Sequence, residues 1–451
     1  MKSHWTRIVL IVALANCAEQ GVALVQSPAE KLSAQAAQFP EQVIKVADGV
    51  YTAVGYSVSN SSMIVGNDGV IIIDTGLDVA GGDVIARKFR GITDKPVKAI
   101  IFTHSHGDHT GGATAFFGTE RPQIWAHANF GSEADPLTKA GLTVQRVRGA
   151  RQAGFRLPPE QRINNGIAPA QYPKRGGAVF ASAKDTTPTH TFDTERKQIE
   201  ISGVTLDLVA SPGETNDQIY VWLPKQKVLF SGDNFYRSFP NLYAIRGTPN
   251  RSVRLWSESL SKLLDHKAVA LVGGHTLPVI GEDAVREIVT DYRDAVRFVH
   301  DKTVEGMNKG LTPDQLVEYV QLPEHLADKD YLQPFYGHVD WGVRSIFNGY
   351  LGWFDGNPTN LFRLAPKGEA ERIARLAGGA DKLMTAAKAA LESDDPQWAA
   401  QLADYLIALE TAGKQPQQIK AEALTMLASK QVNALARNYY LTVARELREA
   451  E

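Results

Sequence analysis

Thr103-His104-Ser105-His106-Gly107-Asp108-His109-Thr110-Gly111-Gly112 follows directly on the apolar run Val97-Lys98-Ala99-Ile100-Ile101-Phe102. Three imidazoles and a carboxylate within six residues, delivered by a run that reads as a buried strand, make poor core and poor surface but good metal ligands. His104 and His106, two apart, can project together from an extended segment, and Gly107 lets the chain turn so that Asp108 and His109 face a second, nearby point. The spacing predicts two metals side by side. A lone histidine usually packs or faces water; four donors in this order do not.

Upstream, Gly49–Tyr56, Ser61–Gly66 and Val70–Asp74 read as short strands, with a hairpin turn at Gly66-Asn67-Asp68-Gly69. Apolar residues at helical spacing run from Val79 to Phe89 before the ligand-bearing strand. Strand, helix, strand and ligand loop in that order predict a layered α/β domain with its chemistry at a sheet edge.

At 451 residues two folded units are expected. With 43% hydrophobic and 22% charged residues and a net charge of −2, the composition is that of an ordinary globular protein, with no bulk reason for nucleic acid or an anionic membrane as partner. Lys2 and Arg7 precede the apolar run Ile8–Ala15, too short to span a bilayer, which reads as an export signal over 1–23 and a periplasmic or secreted protein. Leu14-Ala15-Asn16-Cys17 is only a faint lipoprotein box, because Asn16 stands where a small residue is usual. Cys17 is the only cysteine, so removal of the signal leaves no thiol for disulfides, zinc or nucleophilic chemistry.

Asp74-Thr75-Gly76 followed by the H-x-H-x-D-H motif resembles the metallo-β-lactamase superfamily, which implies an αββα sandwich carrying a dinuclear metal site. The resemblance implies further ligands from later loops. Ser211-Pro212-Gly213-Glu214-Thr215 stands where many members have Pro-Gly-His-Thr, so Glu214 takes the place of a histidine, with Asp217 or Gln218 as alternatives of shifted register. Asp233, after the strand Lys227–Phe230, is the implied bridging carboxylate, and His275, after Val269–Val272, the last imidazole. The implied set is His104, His106 and Glu214 on one metal, Asp108, His109 and His275 on the other, and Asp233 between them.

Asn241-Leu242-Tyr243 and Arg246-Gly247, then Gly349-Tyr350-Leu351-Gly352-Trp353-Phe354-Asp355-Gly356-Asn357-Pro358, are similar to the alkyl sulfatase branch and its dimerisation domain. That resemblance implies a catalytic unit over 24–282 and an all-helical unit over 283–451 that forms a homodimer. Apolar-periodic helices separated by polar turns from Ala370 onward agree with it. Longer members continue into a lipid-carrier-like third domain before which this chain stops, so a detergent-like substrate is in doubt.

The reaction implied is hydrolysis of sulfate esters. Two divalent cations, zinc by donor type with iron or manganese also acceptable, lower the pKa of a bridging water from about 15.7 toward about 7. Four positive charges set against three carboxylates and a hydroxide leave a nearly neutral core, so an anionic substrate needs further cationic donors. Arg246 is the first candidate, with Asn241, Tyr243, Tyr336 and His338 to orient sulfate or protonate the leaving oxygen and Asp108 itself in the catalytic set. The rivals are hydrolysis of lactones, carboxylic esters or phosphodiesters on the same core, and a non-catalytic assembly module with a vestigial metal domain. Residues 131–191, long for a loop and rich in Arg, Pro and Gly, are expected to form a lid or a subunit contact.

Overall fold

The computed structural model describes residues 26–134, 139–172, 179–410 and 413–449. The expected export signal and the Lys174–Gly177 stretch lie outside them.

Thirteen strands are described: β1 (Gln42–Ala47), β2 (Val50–Val54), β3 (Ser61–Val65), β4 (Val70–Ile73), β5 (Val97–Ile101), β6 (Gln123–His127), β7 (His190–Phe192), β8 (Arg196–Ile201), β9 (Val204–Ala210), β10 (Ile219–Leu223), β11 (Val228–Gly232), β12 (Ala270–Gly273) and β13 (Val279–Ile280). The first seven form one sheet in sequence order and the last six another, in the order β13-β12-β11-β10-β9-β8. β4, β5 and β6 run parallel, with helix Val79–Arg90 crossing between β4 and β5. Parallel strands covered on both faces need continuous apolar runs, as in Val70-Ile71-Ile72-Ile73.

Ile64, Ile71, Ile73, Ala99 and Ile101 of the first sheet meet Leu206, Leu208, Val221, Phe230 and Val272 of the second to fill the space between. Met63, Ile72, Ile100 and Phe102 face outward onto Ile85 and Phe89 of helix Val79–Arg90. The second sheet's outer face, with Trp222, Leu229 and Leu271, is covered by helix Val253–Leu263 and the N-terminal half of helix Glu282–Asn308. These layers make the αββα sandwich. Five further helices, Pro366–Ala377, Ala380–Glu392, Pro396–Leu409, Gln415–Ser429 and Ala434–Glu449, pack on one another with their own small cores.

The border expected at 282/283 differs from the packing. Val285, Ile288, Tyr292 and Val296 share a core with Trp256 and Leu271, so the helix that begins at Glu282 closes the sandwich and carries the chain onward. Among the described residues no helix is long and apolar enough to cross a membrane.

Candidate metal centre

The seven expected ligands come from four strand ends on one edge of the sandwich. β5 delivers His104, His106, Asp108 and His109; the loop after β9 carries Glu214; β11 ends at Asp233; β12 leads to His275. They form two groups, His104, His106, Glu214 and Asp233, and Asp108, His109, Asp233 and His275, with donor atoms inside each group within 4.8 Å of one another. Asp233 belongs to both.

The local sequence makes this approach possible. A Cβ on Gly274 would lie 1.9 Å from Oδ1 of Asp233 and 2.9 Å from Cε1 of His109, so only glycine lets the two loops meet. A Cβ on Gly111 would lie 1.8 Å from the carbonyl oxygen of Leu77, which explains the small residues after His109. Asp74 sits at φ +55° and Thr276, beside His275, at φ +67°. Such backbone costs roughly 1–3 kcal/mol and persists where its surroundings fix it.

The donors fit metal ions. Nε2 of His109 and Oδ1 of Asp233 approach to 3.1 Å without the geometry of a hydrogen bond, and these two atoms and Oε2 of Glu214 are buried with no hydrogen-bond partner among the described residues. Such atoms are costly unless something else satisfies them. Burial works against charge on His109, but the carboxylates of Asp233, Asp74 and Asp108 outweigh it and raise its pKa well above the usual histidine value. Burial, then neighbouring histidines, hold His104 and His106 well below that value. Burial also raises Glu214, against the pull of Arg251, whereas His275 and His109 overcome burial to keep Asp233 ionised.

Glu214 joins the first donor group, and its register alternatives Asp217 and Gln218 do not. Asp217 accepts from the Gly131 N–H at 3.3 Å, and the Gln218 amide donates to the Ser231 carbonyl at 3.1 Å.

Three residues that hold the donors in place had no role assigned from the sequence, although Asp74 belongs to the Asp74-Thr75-Gly76 motif itself. Asp74 accepts from Nδ1 of His109 at 2.8 Å and from the Thr103 N–H and hydroxyl at 2.8 and 2.7 Å. The Val58 carbonyl is 2.8 Å from Nδ1 of His275. Arg251, 5% exposed, donates from Nη1 to Oε1 of Glu214 and to the Asn241 carbonyl, while its Nε and Nη2 have no partner among the described residues. In the metal-free chain Arg251 is the countercharge of the buried Glu214 carboxylate, and nothing in the sequence around Glu214 marked it.

Through His106 the donors border a cavity of about 200 Å³ lined also by Glu133, Thr215, Arg246, Thr248 and Arg251. A larger cavity of about 570 Å³, bordered by Lys31, Arg237 and Tyr331, shares no residue with the ligand groups, so size does not locate the chemistry here. Arg246 is thus brought to the site, and its N–H donates to the Gln152 side chain at 3.0 Å. Asn241 is fully buried, its backbone N–H on the Tyr236 hydroxyl and its amide atoms without partners among the described residues. Tyr336 packs edge-on to Tyr236, and burial, then Glu214, push its hydroxyl up. His338 is engaged elsewhere: it caps helix Val339–Leu351 through Asp340 and leans on Trp341. Tyr243 is half-buried and does not line the cavity.

Residues 131–191 are folded where described. Helix Val144–Gln152 packs against the last helix, Ala434–Glu449, through Arg151 and Glu446 at 2.6 Å and through Asn438, which donates to the carbonyls of Gln152 and Asn164. Gln145 donates to the Gly247 carbonyl. This segment therefore grips the Arg246 loop from outside.

The metallo-beta-lactamase superfamily model matches residues 54–275, and the model described as alkyl sulfatase dimerisation matches 312–450. A linear primary-alkylsulfatase from Pseudomonas is 37% identical over 394 residues, covering 85% of this chain and 73% of that protein. An (R)-specific secondary-alkylsulfatase from Pseudomonas is 30% identical over 421 residues, covering 90% of this chain and 62% of that protein, so the chain spans less than two thirds of this second relative. The solved stereoselective inverting sec-alkylsulfatase Pisa1, also from Pseudomonas, superposes with a TM-score of 0.84 at 28% identity, covering 94% of this chain and 68% of that one.

Proposed function

The chain belongs to the metallo-β-lactamase superfamily, in its alkylsulfatase branch, and from that premise we propose that it is a dinuclear metallohydrolase of alkyl sulfate esters. The observation that carries the reading is the convergence of seven donors in two groups that share Asp233, beside a cavity holding two arginines. Two divalent cations, zinc by donor type, would make a water nucleophilic at neutral pH when bound. His104, His106, Glu214 and Asp233 would hold one; Asp108, His109, Asp233 and His275 the other.

The substrate's anionic end is the task of the arginines. Nη1 of Arg251 is committed to Glu214, but its Nε and Nη2 are free among the described residues, and Arg246 lines the same cavity. Guanidinium groups can hold a sulfate monoanion through paired charge-assisted bonds. Tyr336, kept protonated by burial, would donate to the ester or leaving oxygen.

Export to the periplasm or exterior is proposed from the basic and apolar N-terminal stretch. A homodimer through the helical unit is supported by the exposed apolar turn Tyr350, Leu351, Trp353, Phe362 and Leu364, with Trp353 72% and Phe362 95% exposed, inside the span matched as a dimerisation domain. The test is a turnover panel of primary and secondary alkyl sulfates beside a lactone and a bis-nitrophenyl phosphate. Preference for the sulfates, abolished by chelation and restored by zinc, supports the reading; preference for the lactone or the diester overturns it.

A further inference from the structure

The two groups of ligands are held in different ways. On one side, His109 and His275 each have the ring nitrogen remote from the cluster fixed by an oxygen, Asp74 Oδ2 and the Val58 carbonyl, both at 2.8 Å. Each consequently presents Nε2 to Asp233, at 3.1 Å in both cases. Both rings are buried, so neither needs to turn or shed water to accept an ion. The Asp74 carboxylate also makes its imidazole a stronger donor.

On the other side, only His104 has a comparable partner, and it is a neutral one. Its Nδ1 lies 3.1 Å from the Thr103 hydroxyl, which itself donates to Asp74. His106 turns Nδ1 inward, toward Nε2 of His104 at 3.0 Å and Oε2 of Glu214 at 4.0 Å; its side chain is 25% exposed, and among the described residues nothing bonds its outer nitrogen. Glu214 gives one oxygen to Arg251, a full positive charge at hydrogen-bond distance, before any ion arrives. A cation here meets a partly exposed imidazole with no outer partner among the described residues and a carboxylate whose charge is already shared.

We propose that the two metal positions are unequal: the position of Asp108, His109, Asp233 and His275 fills first and tightly, and that of His104, His106, Glu214 and Asp233 fills second and exchanges. Asp74 and Arg251 are the positioning residues behind the difference. The inference rests on the metallohydrolase reading, and its test separates the two. Metal-depleted full-length protein is titrated with zinc by calorimetry, with ions counted by mass spectrometry. The expected result is two steps at least tenfold apart, with Asp74→Asn weakening the first step by about 10- to 100-fold and Glu214→Gln weakening only the second.

A readout on the unaltered protein guards against variants that fail to fold. With one equivalent of Co²⁺, two paramagnetically shifted, solvent-exchangeable N–H protons should appear, those of His109 and His275, and a third, from His104, only with the second equivalent. Two ions entering in one indistinguishable step, or a first equivalent that shifts the His104 proton, overturns the inequality while leaving the metallohydrolase reading in place. No uptake at all overturns both.

Discussion

The ligand loops and the helix at Val144–Gln152 border the same cavity, yet they are held by different forces. The ligands leave the ends of β5, β9, β11 and β12, strands fully paired in two sheets over a common apolar core. The helix rests on polar contacts: Gln145 and Gln152 to the Arg246 loop on one side, Arg151 and Gln152 to Glu446 and Asn438 on the other. The first arrangement fixes the donor atoms; the second lets the helical unit set where the Arg246 loop lies. Perturbing each should give different signatures.

The largest effect is expected at the ligand loops. Gly274→Ala places a carbon against Asp233 Oδ1 and His109, and should reduce both bound metal and turnover by more than the roughly 10- to 100-fold that loss of an outer partner costs; metal counting on the purified variant checks it. Arg251→Met strands a buried carboxylate and should destabilise the metal-free protein by about 3–5 kcal/mol, read from urea unfolding. Arg246→Ala removes a charge-assisted contact of about 1.5–3 kcal/mol, so sulfate ester turnover should fall about 10- to 100-fold with bound metal unchanged. Metal loss, or equal damage to a neutral ester, would refute that role.

On the helical side the effects should shrink and change character. Gln152→Ala releases the Arg246 backbone and should raise KM several-fold without altering metal content. Glu446→Ala breaks a partly exposed pair with Arg151 and Arg156 and should cost less than about 1 kcal/mol in a thermal melt. If Glu446→Ala instead emptied the metal site, the division between the two regions would be wrong.

The same division explains what could be read from the chain. His104, His106, Asp108 and His109 are adjacent in sequence because one strand end supplies them, and the runs Val70–Ile73 and Val97–Ile101 announce their strands by composition. Asp233 and His275 were visible only through the family resemblance and their positions after apolar runs, since a Gly-Asp or Gly-His pair alone is a weak signal. Arg251 was not: its partner is 37 residues away and the pair exists only once the loops meet. Nor was the clamp on the Arg246 loop, since Asn438 and Gln152 are 286 residues apart. His338 shows the opposite error, a histidine near an aromatic motif that spends itself capping a helix. The border at 282 was obscured because helix Glu282–Asn308 is amphipathic throughout and serves both the sheet and the helices beyond it.

The central claim is that seven side chains from His104 to His275 assemble a two-metal centre that hydrolyses sulfate esters. Its most direct test is turnover of a linear alkyl sulfate by metal-depleted protein as zinc is returned, with the bound ions counted at each addition. Activity that is absent without metal and reaches its plateau at two ions per chain is the predicted result. Full activity in the metal-free protein, or none with both positions filled, would contradict it.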